Sequence, residues 1–441
     1  MRKALGSSIV FILFFTLAAH GLTLKESVDL ASRNNPTVIA AEKKQAAASA
    51  KLGQATGAFM PTLKLDANYS KSYAQPSVIQ MTIPTSSGSV TQSFTSGTDS
   101  TVTSNSWTAS LNQPLFVAAL WPGYSLAQKG VELANEEMKK AQLESAFNVT
   151  QTYYGVLKAE KFVKLSQESK EMAQSHLNQV KAMFKAGVAT RADLLRGEVQ
   201  LANTDVNLTK AKNGLELAKD AFNNALGREL EENVALEEGS LSETIAALPE
   251  YRELLNLALS NRPEWRQFQL NKKIVEETLR ISQVEYFPTL FLVGQVGNRG
   301  TEYPGYNSSV NSWSVAGVGS WNIFDGFGRE NRIKENSANL EAQIANENQL
   351  KSGIALEVRD IYLTLKSALE TIDSAKKAVA SAEESYKVSA SRYNSGVGTN
   401  LEVLDAQVAL TQTKINYLQS LFDLGTAKAR LNKIVGKEVV L

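Results

Sequence analysis

Residues 59–70 read FMPTLKLDANYS, and a similar stretch, YFPTLFLVGQVG, returns at residues 286–297. After the proline of the first stretch, apolar residues occupy every second position, which is the period of a β-strand with one apolar and one polar face. This alternation recurs in two later stretches and, more loosely, in the second copy. The sequence therefore predicts four strands, at about 61–70, 104–116, 289–298 and 311–323.

The repetition extends far beyond the strands. Two constant offsets in residue number align the following pairs: Leu30 with Leu257, Asn34 with Asn261, Pro36 with Pro263, Gly187 with Gly396, Thr190 with Thr399, and Gly227 with Gly436. The sequence thus predicts a tandem duplication, with a first structural repeat at 22–232, a linker at 233–248 and a second repeat at 249–441. Two copies are too few for a solenoid, which needs about three stacked repeats.

The composition excludes several classes of function. The chain has 441 residues, with 46 lysines and arginines against 45 aspartates and glutamates. The net charge of +1 gives no electrostatic reason to expect nucleic acid as a partner. It has two histidines and no cysteine, which leaves no thiolate nucleophile, disulfide or cysteine metal site. We expect no enzymatic activity, no metal site and no cofactor.

The first residues indicate export. Arg2 and Lys3 precede the apolar run SIVFILFFTLAA, and small residues follow at Ala19 and Gly21, which is typical of a signal peptide at 1–21. The alternative is an uncleaved anchor, but the run is shorter than the about 20 residues that span a bilayer. Since no later segment is apolar enough to be a membrane helix, the exported chain is either soluble outside the cytoplasm or a membrane β-barrel.

Two features favour membrane strands over the alternative, a half-buried soluble sandwich. Four of the five tryptophans lie at or near strand ends, where a membrane-interface belt would place them. The polar stretch at 71–104 suits a loop outside a membrane, although a flexible linker is the alternative. On this interpretation the lipid-facing residues are Leu63, Leu65, Trp107, Leu111, Leu290, Leu292, Trp313 and Val315.

The remainder of each repeat is predicted to be long helix. All ten prolines lie outside residues 123–248 and 305–441, so helices can run from about 124 to 185 and from about 329 to 394. Apolar residues such as Ile361, Leu365, Ala368 and Ile372 are spaced by threes and fours, as in a coiled coil. We therefore expect long antiparallel coiled-coil helices.

Two helical-hairpin tips, at 186–191 and 395–400, are the best-specified motifs. In AGVATRADLL and SGVGTNLEVL a glycine, Gly187 or Gly396, ends one helix in the left-handed conformation, and Thr190 or Thr399 begins the next. Thr399 and Glu402 form a capping box, of which Thr190 and Asp193 are the weaker version. The tips also expose Val188 and Val397, which motivates a docking role for residues Gly187, Val188, Thr190, Gly396, Val397 and Thr399.

Four strands cannot close a barrel, and an open edge in lipid would leave backbone groups unpaired. The barrel must therefore be shared between chains. Two chains would give eight strands and a filled interior, whereas three give twelve strands and an interior that can stay open. Strand counting alone does not choose three chains over four.

The chain resembles the outer membrane efflux protein (TolC) family along essentially its whole mature length. The resemblance rests on NNP with FMPTL, NRP with YFPTL, the QPLF strand end, the GVxT tips, and Gly227 and Gly436 at helix ends. It implies a mainly α fold with membrane β. In this fold the duplicated unit of coiled-coil helices and two β-hairpins forms a trimeric twelve-stranded β-barrel, which is joined to a twelve-helix α-barrel.

The resemblance also implies partners and sites. The tips would dock to a periplasmic adaptor that connects an inner-membrane transporter, and Glu402 and Asp405, with Asp193 in the first tip, would form an acidic channel entrance. Some relatives carry a basic gating residue where this chain has Gly398, so an ionic latch of that type is not expected.

Together with this resemblance, which implies the trimer, the sequence favours a homotrimeric outer-membrane channel that extends into the periplasm. It would be the passive exit duct of a tripartite efflux or type I secretion system, contacting outer-membrane lipid and no nucleic acid. Drugs, metal ions and secreted proteins all stay open as cargo. The alternative is a soluble periplasmic coiled-coil adaptor.

Overall fold

The computed structural model describes residues 21–75, 77–86, 88–96, 100–237, 248–303 and 305–439. The predicted signal peptide lies outside these residues apart from Gly21, and so do residues 238–247 of the predicted linker.

Eight helices and six strands follow one another in the described residues. The helices are α1 (Leu24–Asn34), α2 (Pro36–Gly57), α3 (Leu120–Lys185), α4 (Arg191–Leu226), α5 (Tyr251–Asn261), α6 (Pro263–Val284), α7 (Gly328–Asn394) and α8 (Asn400–Val435). The strands are β1 (Thr62–Ala74), β2 (Ser77–Thr85), β3 (Gly88–Ser96), β4 (Ser100–Phe116), β5 (Thr289–Tyr303) and β6 (Tyr306–Ser320). The two long helices expected from the absence of proline are confirmed as α3 and α7.

The chain divides into two compact units. The first unit comprises Met1–Gln45, Ala134–Phe268 and Asn346–Leu441, and the second comprises Ala46–Leu133 and Gln269–Ala345. No helix in the described part of the chain has an apolar stretch long enough to cross a membrane.

The second unit contains an antiparallel four-stranded sheet in the order β1-β4-β5-β6. Its strands extend beyond or are offset from the predicted ranges, since the paired segments continue into Ser, Thr and Asn residues that show no apolar alternation. The strand expected at 311–323 runs instead from Tyr306 to Ser320, because the chain then turns towards α7.

The stretch 71–104, expected to be a polar loop outside a membrane, contains strands rather than a loop alone, and its location outside a membrane stays a prediction. β1 continues to Ala74, and β2 and β3 pair as a separate antiparallel hairpin within that stretch. Thr and Val occur in both strands and Ile in β2, and these β-branched residues favour extended backbone even where serine and glutamine make the stretch polar overall.

The first unit contains two similar joints, in each of which the glycine at the end of a long helix contacts the turn after a short one. α4 ends at Gly227 with φ +73°, and α8 ends at Gly436 with φ +78°. A Cβ atom added at Gly227 would lie 2.5 Å from the backbone oxygen of Asn34, and one at Gly436 would lie 2.8 Å from that of Asn261. Each NxP turn therefore packs directly against the glycine that ends a helix far away in sequence, which explains why the two motifs recur together.

The first joint carries an additional hydrogen bond. The side chain of Asn35 donates to the backbone oxygen of Ala225 over 2.9 Å, and its oxygen accepts from the backbone N–H of Thr37 over 2.9 Å. Asn35 is buried, so these bonds satisfy a polar side chain that has little access to water. They tie the turn between α1 and α2 to the last turn of α4.

Candidate functional site

One face of the four-stranded sheet carries all eight residues that we expect to face lipid. The register pairs Leu63 with Leu111, Leu111 with Gly294, and Gly294 with Val315. Directly paired residues of antiparallel strands lie on the same face, as do residues two apart on one strand. Leu65, Trp107, Leu290, Leu292 and Trp313 fall on that face by the same pairing.

This apolar face is largely uncovered within the chain. Leu63 is 77% exposed and Trp313 is 79% exposed. A continuous exposed apolar face of this kind is typical of an interaction surface, because isolated water-soluble domains rarely leave one uncovered. Contact with lipid stays a prediction for these residues.

The opposite face differs between the strands. On β1 and β4 it is polar, with Thr62, Lys64, Asp66, Asn68, Ser106, Thr108, Ser110 and Asn112. Lys64 and Asp66 form an ion pair of 2.7 Å on this face. On β5 and β6 it is mixed, since Phe291, Val293 and Val318 share it with polar residues.

In the first tip, a left-handed glycine follows the end of α3, and α4 begins with a capping box. Gly187 has φ +75°, and the N–H of Val188 donates to the backbone oxygen of Met183 over 2.9 Å. The carboxylate of Asp193 accepts from the Thr190 hydroxyl over 2.6 Å and from the Thr190 N–H over 3.1 Å. These bonds, led by that of the hydroxyl, lower the pKa of Asp193.

The second tip repeats this backbone arrangement with a looser cap. Gly396 has φ +73°, and the N–H of Val397 donates to the backbone oxygen of Arg392 over 3.0 Å. The Glu402 carboxylate is 3.5 Å from the Thr399 nitrogen and 4.0 Å from Nε of Arg392. The prediction that the first box is the weaker one is therefore wrong, because the Asp193 carboxylate also binds its threonine hydroxyl, while that of Glu402 lies between its cap and an arginine.

The three acidic residues expected at a channel entrance have different surroundings. Glu402 and Asp405 lie three residues apart on α8 and are both exposed, whereas Asp193 is partly buried and engaged in its cap. The structure thus brings Glu402 and Asp405 to one side of α8, while Asp193 lies on the first tip, where its backbone oxygen accepts from the Asn400 side chain over 3.3 Å. Their role at an entrance stays a prediction.

Gly398 has a steric explanation. A Cβ atom added there would lie 2.9 Å from the nitrogen of Tyr393 and 3.0 Å from Cβ of Arg392, so a side chain at this position requires the turn to shift. The basic residue beside Glu402 in this chain is Arg392.

Sequence reasoning missed the contact that joins the two tips. His176 of α3 donates from Nε2 to the Asn400 side-chain oxygen over 2.6 Å, and Asn400 donates to the backbone oxygen of Asp193 over 3.3 Å. The His176 ring also lies 5.4 Å from that of Tyr393. A histidine on the apolar side of α3, near the buried Leu177, was the one signal of this contact in the sequence.

This contact predicts a pH dependence. Burial lowers the pKa of His176, although the bond to Asn400 opposes the shift. As the pH falls, His176 is therefore protonated at a higher pH in the unfolded chain than in the folded chain. The free energy of opening the tips should then fall as the pH drops below about 6.5. Amide hydrogen exchange at residues 393–404, corrected for intrinsic exchange rates, should be faster at pH 5.5 than at pH 7.5.

The control variant is His176→Gln, whose amide can donate to Asn400 without titrating. Asp193 keeps its charge throughout this range, since its pKa is lowered from 3.8. A pH dependence that persists unchanged in His176→Gln would assign the effect to another group.

Within the described residues, no group of three or more histidine, aspartate and glutamate side chains is placed to hold a metal ion.

Comparison with known proteins relates this architecture to one family. The outer membrane efflux protein family matches residues 28–228 and 254–437. Outer membrane protein TolC of Salmonella enteritidis is 23% identical, over 96% of this chain and 87% of that protein. Cobalt-zinc-cadmium resistance protein CzcC of Cupriavidus metallidurans is 25% identical, over 98% of this chain and 94% of that protein.

The fold is also that of a solved channel. The outer-membrane channel OprN superimposes with a TM-score of 0.77 at 19% sequence identity, over 94% of this chain and 89% of that one. The matched ranges contain the two tips and all four strands of the large sheet, and they cover most of the chain. The chain belongs to the outer membrane efflux protein family.

Proposed function

We propose that the chain is the outer-membrane channel of a tripartite efflux or type I secretion system. It is a passive exit duct for substrates that an inner-membrane transporter delivers through a periplasmic adaptor, and it catalyses no reaction. The observation that carries this proposal is the sheet, which has one continuous apolar face and two unpaired edges, β1 and β6.

The edges support a closed ring of chains. β1 has 13 residues and β6 has 15, and long unpaired strands readily pair with another chain. Strand directions alternate across β1-β4-β5-β6, so β6 of one copy can pair antiparallel with β1 of the next. Three copies give a twelve-stranded barrel with all backbone groups paired, as lipid requires.

The helices support the same ring. Leu404 of α8 is 9% exposed, whereas its repeat partner on α4, Leu195, is 51% exposed. α8 is covered by α3 on this side, for example where Gln407 donates to the backbone oxygen of Ser169 over 3.4 Å. Since α7 is the repeat counterpart of α3, we propose that α7 of the neighbouring copy covers α4. Three copies then form a twelve-helix α-barrel that extends into the periplasm.

The tips are the proposed docking site for the adaptor. Val188 is 72% exposed and Val397 is 69% exposed, and both follow a left-handed glycine in the same backbone turn. Two equivalent apolar turns in one chain give a trimer six of them, which suits a partner that binds several times around a ring. The turns themselves are held by Gly187, Gly396 and the caps at Thr190 and Thr399.

This docking role is tested by Val188→Glu and Val397→Glu. Both side chains are exposed, so we expect trimer and membrane insertion to be unchanged while transport in cells and adaptor crosslinking are lost. Val78→Glu, an exposed valine of β2, is the matched control and should transport normally. Normal transport in the double tip variant would place docking elsewhere.

Glu402 and Asp405 are proposed to ring the channel entrance and to make it cation-selective. Their shared exposed side on α8 allows threefold symmetry to gather six carboxylates around one axis. In single-channel recordings Asp405→Asn should lower cation selectivity without loosening the cap, which uses Glu402. A reversal potential that stays unchanged in the Glu402→Gln, Asp405→Asn double variant would leave these residues without a role in selectivity.

The alternative of a soluble periplasmic adaptor is not supported, since the family is one of outer membrane efflux proteins.

A further inference from the structure

A groove in the first unit lies between α1, α3 and α8. Its volume is about 630 Å³, and pockets of about 300–1,000 Å³ are typical of sites for small organic molecules. Apolar and aromatic side chains line part of it: Leu24, Val28, Leu143, Phe147 and Tyr154. None of these residues belongs to the tips or to the sheet, so the groove is distinct from both.

The groove carries more positive than negative charge. Its lining includes four lysines and two carboxylates, namely Lys25, Lys428, Lys433, Lys437, Asp29 and Glu438. Within the described part of the chain, Lys25, Lys433 and Lys437 form no ion pair with a carboxylate. An anion in the groove would therefore meet cations that no carboxylate neutralises.

Two of these lysines are partly buried. The Lys433 ammonium lies 5.1 Å from the centre of the Phe147 ring, a contact that leaves other N–H donors of the ammonium for an anion. Burial lowers the pKa of Lys428, because desolvation disfavours its charged form. A bound anion would offset that cost, since an opposite charge within about 4–6 Å favours the ammonium.

The equivalent turn of the first repeat is neutralised. By the offset that aligns the two tips, Lys428 of α8 corresponds to Lys219 of α4, which forms an ion pair with Glu216 over 3.2 Å. The counterpart of Glu216 is Gly425. A Cβ atom at Gly425 would lie 3.0 Å from the Tyr154 ring, so the glycine allows that ring to lie against α8. The second repeat thus has an aromatic ring where the first has a neutralising carboxylate.

We propose that this groove binds a small organic anion, whose acidic group is held by the lysines of α8 and whose apolar body lies against Phe147 and Tyr154. The ligand class comprises aromatic and short aliphatic carboxylates, sulfonates and phosphates. The inference does not depend on the proposed function, since every residue that lines the groove belongs to the first unit and the test measures binding alone.

The probe is 2-naphthoate, which joins an aromatic body to one carboxylate. Equilibrium dialysis against the full-length assembled protein in nonionic detergent should show one saturable site per chain. The neutral analogue 2-naphthalenemethanol, which has the same rings, should bind at least about tenfold more weakly. Equal binding of the two probes, or the absence of saturable binding of 2-naphthoate, would overturn the proposal.

Two variants assign the site. The Lys428→Met, Lys433→Met double variant removes two charges and keeps unbranched side chains, and it should bind 2-naphthoate at least about tenfold more weakly than the parent. Lys219→Met, at the repeat counterpart on α4, is the matched control and should bind like the parent. Unchanged affinity in the double variant, or an equal loss in Lys219→Met, would contradict the assignment.

A second measurement locates the ligand in the unaltered protein. Acetylation of each lysine by N-hydroxysulfosuccinimidyl acetate is followed by mass spectrometry, with and without saturating 2-naphthoate. Lys428 and Lys433 should be acetylated severalfold more slowly with the ligand, whereas Lys219 should react at an unchanged rate. Equal protection of Lys219, or no protection of Lys428 and Lys433, would rule out the groove as the site.

Discussion

Gly227→Ala is expected to lower the free energy of unfolding by more than about 3 kcal/mol, and Gly436→Ala by a similar amount. Each glycine has a positive φ, and each is in contact with backbone that a Cβ atom would overlap. At a positive φ an alanine would be strained, and its Cβ atom would push the NxP turn away from the end of the helix. Because backbone atoms cannot rotate away as a side chain can, relief requires moving α1 or α5.

The measurement is chemical unfolding of the purified protein, together with the yield of folded protein from cells. Gly214→Ala is the matched control, because Gly214 lies within α4 and a Cβ atom there meets nothing within 4 Å. Alanine in a helix interior should raise stability by up to about 1 kcal/mol. Equal stability of Gly227→Ala and Gly214→Ala would show that the joint does not hold the turn.

Leu65→Arg and Leu292→Arg are each expected to cost about 2–4 kcal/mol in assembly if the residue lies near the middle of the bilayer. Both residues belong to the apolar face, and if that face contacts lipid as proposed, an arginine would place a charge in the hydrocarbon layer. The readout is the amount of folded, heat-modifiable oligomer in outer-membrane fractions.

Asn68→Arg is the control for this pair of variants. Asn68 lies on β1 three residues from Leu65, on the polar face, and it is exposed. We expect it to assemble normally, since an arginine there would face away from lipid. Normal assembly of the Leu65→Arg, Leu292→Arg double variant would contradict the lipid-facing assignment, whereas equal loss in Asn68→Arg would show only that the strands tolerate no arginine.

Features that depend on hydrogen bonds between residues close in sequence could be predicted from the sequence. The left-handed glycines Gly187 and Gly396 and the caps at Thr190 and Thr399 use bonds between residues at most a few positions apart, so their residue types are sufficient to predict them. The assignment of residues to one sheet face is equally local, because side chains alternate along any strand. The absence of proline likewise predicted α3 and α7.

Prediction from sequence pattern failed where a strand is rich in polar residues and where two chemically similar motifs differ in geometry. Serine and glutamine make the β2–β3 hairpin polar overall, and which residues of its two strands pair is set by the opposing strand. The two capping boxes differ in their contacts. The Glu402 carboxylate lies 4.0 Å from Nε of Arg392, whereas the Asp193 carboxylate also binds the Thr190 hydroxyl. Neither difference follows from the spacing of the motif residues.

Contacts between residues distant in sequence were decided by tertiary packing alone. His176 and Asn400 are 224 residues apart, and Asn35 and Ala225 are 190 apart. The repeated NxP and glycine motifs were visible in the sequence as separate matches, yet their contact arises only when α4 and α8 have packed against the turns that follow α1 and α5. A periodic pattern specifies which face of an element is buried, but the partner of that face depends on how the elements come together in space, which no local pattern encodes.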